Sequence, residues 1–104
     1  MQKLGTTAYF PGVEARPDYI NCVVLSAGVA KQVTVPSGAG TAKFKSTAAF
    51  CAKYGDNPTA TIPTSDVSDG TASDLCPFWV PVSDVAKISL ISEAACRVHI
   101  IFYA

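Results

Sequence analysis

At 104 residues, with 15% of them charged and a formal net charge of +0 from 8 basic and 8 acidic side chains, the chain holds one domain with one core and needs no metal or disulfide staple. The charge balance lacks the basic excess that nucleic-acid binding demands, and a near-neutral surface favours association over a solitary monomer. No apolar run reaches the roughly 18 residues of a bilayer span, and the first residues lack the apolar stretch of a secretion signal, so no membrane partner is expected and folding is expected in the cytoplasm.

Residues 1–19 carry Gly5, Pro11, Gly12 and Pro17 and no sustained periodicity, yet hold Tyr9, Phe10 and Tyr19. Disordered tails are poor in aromatics, so an extended N-terminal arm is expected, packed either along its own domain or on a neighbouring subunit. The domain proper is expected over residues 20–104. Residues 20–26 read as a strand ended by Gly28, and residues 30–35 as a second that runs into the turn formers Pro36-Ser37-Gly38-Ala39-Gly40. Residues 41–46 alternate, with Ala42 and Phe44 expected inward and Lys43 and Lys45 outward. Residues 50–54 and the short run 59–62 are further expected strands, and Thr47 to Phe50 has room for one helical turn. A long loop follows over residues 63–77. Residues 78–82, bracketed by Pro77 and Pro81, are expected to form an edge strand, since proline cannot donate to a ladder.

Residues 85–91 and 95–103, separated by Ser92-Glu93-Ala94, read as a C-terminal hairpin. In its second strand Cys96, Val98, Ile100 and Phe102 share one face, and Arg97, His99, Ile101 and Tyr103 the other. Seven or so short strands with regular turns predict an all-β fold, a single β-sandwich or a jelly-roll-like barrel.

Chemistry is sparse. Cys22, Cys51, Cys76 and Cys96 lack C-x-x-C spacing, so free thiols acting as small hydrophobes are expected rather than zinc ligands or a disulfide framework. Asp66, Asp69 and Asp74 near Gly70 invite a calcium reading, but their spacing fits no EF-hand and no glutamate closes the loop; caps and Asx turns are the ordinary use of such residues. His99 is the one histidine; a Cys-His nucleophile pair has no local signature, and neither a G-x-S-x-G elbow nor a P-loop is present. No cofactor and no catalytic residue is expected. Trp79 with Phe78 offers either a sugar platform or a core or subunit contact; the apolar neighbours Val80, Pro81 and Val82 favour the second. Ile101, a large apolar residue on the polar side of its strand, points with His99 and Tyr103 to a subunit contact, with a trimer the favoured assembly.

Residues 29–103 resemble the small virion proteins of tailed bacteriophages. The likeness rests on the run Val29 to Ala39 with its P-x-G-A turn at Pro36 to Ala39, on Phe44, Phe50 and Ile62-Pro63, on the loop Asp66 to Pro77, and on Ile88 to Ser92 followed by Val98 to Tyr103. One departure is Cys76, where the pattern has asparagine before the proline. The resemblance implies a non-enzymatic virion structural protein, a head decoration or cement protein that binds the outer capsid lattice. Its partners would be the major capsid protein, other virion subunits and copies of itself, with Tyr9, Phe10, Tyr19, His99, Ile101 and Tyr103 as candidate contacts. The alternatives are a tail or head-to-tail connector subunit, or a carbohydrate- or host-surface-binding β-sandwich on the virion.

Overall fold

The computed structural model describes residues 19–104; Tyr9 and Phe10 lie outside the described residues. Eight strands run in chain order: β1 (Tyr19–Leu25), β2 (Lys31–Thr34), β3 (Thr41–Ser46), β4 (Cys51–Gly55), β5 (Asp74–Leu75), β6 (Trp79–Pro81), β7 (Lys87–Ile91) and β8 (Cys96–Tyr103). They form two four-stranded antiparallel sheets, β1-β8-β3-β6 and β2-β7-β4-β5. The all-β expectation holds, and the two sheets enclose one main core in sandwich-like fashion.

The pairing has a simple rule: first strand with last, second with seventh, third with sixth and fourth with fifth. Apart from β4 and β5, which pair within the second sheet, successive strands fall in different sheets. This overturns the expected C-terminal hairpin, because β7 and β8 lie in different sheets. Each is a central strand with two neighbours, and their inward residues Ile88, Leu90, Val98, Ile100 and Phe102 enter the same core. Two strands this apolar bury more by facing each other across the core than by lying side by side. The connection is held by Ser92, whose Oγ donates to the Ala49 carbonyl (2.8 Å) and accepts from the Ala94 N–H (3.2 Å).

Residues 59–62 form no strand. They cross the outer face of the second sheet, where Ala60 N–H donates to Oγ of the fully buried Ser89 (2.8 Å) and Thr61 N–H to Ser73 Oγ (3.0 Å). Ala60 seals Cys51 and Ile91 into a small second cluster with Ile62 against it. Side-chain oxygens thus take the place of a ladder here. The expected loop in turn contains β5, two residues long and paired with β4. No helix forms among the described residues. At the turn before β3, Gly40 donates to the Tyr103 carbonyl (2.7 Å), and a Cβ there would stand 3.1 Å from the Ala104 carbonyl carbon, which is why a glycine fits.

Candidate interaction surface

The outer face of the β1-β8-β3-β6 sheet gathers the residues that the strand alternation singles out. Register places Ile20 beside Ile101, Cys22 beside His99 and Val24 beside Arg97. On the other side of β8, Lys43 lies beside Ile101, Lys45 beside His99 and Trp79 beside Lys43. The four strands carry no carboxylate, while Lys43, Lys45 and Arg97 supply cationic charge. Among the described residues the acids lie elsewhere: Asp56, Asp66 and Asp69 on the segment linking β4 to β5, Asp74 in β5, Asp84 between β6 and β7, and Glu93 between β7 and β8. Cations are not confined to this sheet, since Lys31, Lys53 and Lys87 lie on strands of the other; what sets this face apart is exposed apolar area beside Lys45 and Arg97 with no carboxylate on its strands.

Exposure distinguishes rim from centre. Phe78 (60%), Trp79 (48%), Ile20 (53%) and Val24 (60%) stand out on the two flanks, whereas Ile101 and Tyr103 between them are buried and His99 is exposed. The Trp79 ring stacks on Tyr103, with centroids 5.5 Å apart and planes 4° from parallel. Lys43 corrects the expectation of a solvent-facing lysine: it is only 4% exposed, and its Nζ lies 5.4 Å from the Phe78 ring centre and 5.3 Å from that of Trp79. Two aromatic quadrupoles thus stabilise a cation that burial would otherwise penalise. Phe78 is fixed there by its own carbonyl, which accepts the Phe44 N–H (2.8 Å).

The expected contact residues divide. His99, Ile101 and Tyr103 do share this face, but Ile101 and Tyr103 lie beneath their neighbours. Tyr19 lies in β1, and its ring meets Phe102 edge-on at 5.9 Å and 78° as part of the chain's own packing. Ile20 and Val24 are not among the contacts expected from the sequence, whereas Phe78 with Trp79 stands exposed where the sequence offers a core or subunit contact.

The remaining features are modest. An open groove of about 290 Å³ runs between Ile20, Lys45, Ser46, Thr47, His99 and Ile101. A cleft of about 150 Å³ lies beside Cys51, Ile62, Leu75 and Ile91. It is small beside the several hundred Å³ typical of small-molecule sites. Burial raises the Cys51 thiol pKa, with Cys76, Glu93 and Asp74 adding to it, so the thiol is a poor nucleophile at neutral pH. All four cysteines are free thiols, Cys22 and Cys76 exposed and Cys51 and Cys96 buried. Asp69 accepts from the Thr71 N–H (3.1 Å) and hydroxyl (2.6 Å), bonds that hold its pKa below the ordinary carboxylate value. Asp74 accepts from the Tyr54 hydroxyl (2.9 Å). These carboxylates act within turns and pairs, and among the described residues no three His, Cys, Asp or Glu side chains are grouped to hold a metal ion.

No family model matches the chain, and neither does any curated protein or solved structure.

Proposed function

We propose that this chain is a non-enzymatic structural subunit of a bacteriophage particle, a decoration or cement protein that docks on the outer head lattice through the outer face of its β1-β8-β3-β6 sheet. The observation that carries the reading is the strand order. Eight strands paired first-to-last through fourth-to-fifth are what a jelly roll requires, an architecture common to viral capsid and lectin domains. Fold alone does not give function, so the sheet face supplies the second support: exposed Phe78, Trp79, Ile20 and Val24, together with exposed Lys45 and Arg97 and no carboxylate on the strands, suit a partner surface that is apolar and acidic. The sequence resemblance to small phage virion proteins supplies the particle.

A carbohydrate-binding role is the second reading, favoured by the half-exposed Trp79 ring. It is the weaker one, because the inner face of that ring is already stacked on Tyr103 and the cation nearest it is buried. Mass spectrometry of purified particles from the phage that encodes the chain tests the proposal. Copy number comparable to the major capsid protein supports decoration, a count far below it supports a tail or connector subunit, and absence from the particle refutes all three virion readings.

A further inference from the structure

The four sheet edges are not equally protected. Exposed ladder groups on an edge invite pairing with another chain, and proteins blunt them with proline, charge or shortness. Among the described residues, β6 ends in Pro81 and follows Pro77, and β5 is two residues long. Edge strand β2 bears Lys31 and Gln32, and Gln32 Nε2 is tied to Asn57 Oδ1 (2.9 Å) and the Pro58 carbonyl (2.7 Å). Strand β1 differs: seven residues, Tyr-Ile-Asn-Cys-Val-Val-Leu, with no proline, glycine or charge.

In an antiparallel edge strand alternate residues turn N–H and C=O away from the neighbour. Val24 is one of these, since its carbonyl accepts Lys31 Nζ (2.9 Å) reaching over from the edge of the other sheet. Ile20 and Cys22 share its phase, and the side chains of all three point to the outer face. We infer that β1 is a self-pairing edge: a second copy adds its own β1 antiparallel across a two-fold axis at Cys22, and Lys31 is the gate that must release Val24.

The strand is complementary to itself. Cys22 is its midpoint, so the register that pairs all seven residues sets Cys22 against Cys22 of the second copy and Ile20 against Val24 in both directions. Outward-turned groups then meet outward-turned groups, and the two most exposed aliphatic residues of the face cover each other. No Asp, Glu, Lys, Arg or His side chain lies on either strand to oppose its copy. The nearest charges on that face belong to β8, and the two β8 strands would lie about 14 Å apart, three strand spacings, where salt screens them. A two-fold pair is a different assembly from the trimer that the outer face suggested, and it does not depend on the virion reading.

Equilibrium sedimentation of the full chain, with folding of each variant checked by circular dichroism, tests this. The expected result is a concentration-dependent monomer–dimer equilibrium. Ile20→Lys with Val24→Lys sets lysine against lysine twice and should weaken it about tenfold or more, whereas Ile20→Lys with Val24→Glu sets lysine against glutamate and should restore it. Lys31→Ala removes the gate and should tighten it. In a Cys76→Ser background, diamide, itself reduced as the disulfide forms, should yield a covalent dimer that Cys22→Ser abolishes, since opposed strand positions fall within disulfide reach. A monomer at all concentrations, a dimer indifferent to the lysine pair, or a lysine–glutamate variant as weak as the lysine–lysine one would overturn the inference.

Discussion

Single residues carry several consequences that can be measured. Cys76 has a φ of 49°, the only positive value on a non-glycine residue among those described, in the left-handed region that costs most side chains about 1–2 kcal/mol but that asparagine tolerates. That is the position where the resembling phage pattern has asparagine. Cys76→Asn should therefore raise stability, by up to about 1 kcal/mol, as read from the denaturation midpoint; a loss would mean that the thiol contributes more to the packing beside Cys51 than the strain costs. Ser89 is fully buried and its Oγ holds the Ala60 N–H. Ser89→Ala leaves that buried donor unpaired and should cost about 1–3 kcal/mol, a result that no surface serine would give. Tyr54 is the pH-sensitive group: burial first, then its bond and charge interaction with Asp74, raise its phenol pKa well above the ordinary value of 10.0. A raised folded pKa means that this contribution to stability is complete below about pH 10 and is lost as the pH climbs through the folded value. Tyr54→Phe should remove that part of the alkaline loss of stability, and spectrophotometric titration of the variant should lack one late phenol that the parent chain shows.

At the scale of elements, alternation made most strands legible and said little about their partners. The runs at β3, β7 and β8 were readable because inward and outward residues alternate with period 2, which requires only local sequence. Which sheet each strand joins depends on burial across the whole core, and so β7 and β8 read as a hairpin although they face each other from opposite layers. The short run 59–62 reads as a strand for its threonines and isoleucine, but buried Ser89 and half-buried Ser73 capture its N–H groups instead. Lys43 misled for a related reason: its strand phase was right, but the rings that cover it arrive from Phe78 and Trp79, far along the chain. The basic, apolar face was half visible, through His99, Ile101 and Tyr103, while its exposed flanks needed the β1 and β6 register to be recognised. Hydrogen exchange checks the strand order: amides of β7 and β8, central in their sheets, should be the slowest, and those of β5 and β6 among the fastest. Equal fast exchange in β7 and β8 would mean that they are not the central strands.

For the whole molecule, the proposed docking face is the outer side of the β1-β8-β3-β6 sheet. Phe78→Ala with Trp79→Ala removes exposed rings on an edge strand, so the fold should survive, while binding to particles lacking the protein should weaken by roughly 2–4 kcal/mol if the two rings act as interface anchors. Exposed Lys45 and Arg97 add a salt dependence, since screening weakens attraction to an acidic partner. The most direct test is an electron-microscopy map of the intact particle. The account predicts density for this chain on the outer head lattice, with Phe78, Trp79 and the β1-β8-β3-β6 face turned toward the capsid. Density with that face open to solvent, or a particle without the chain, would contradict it.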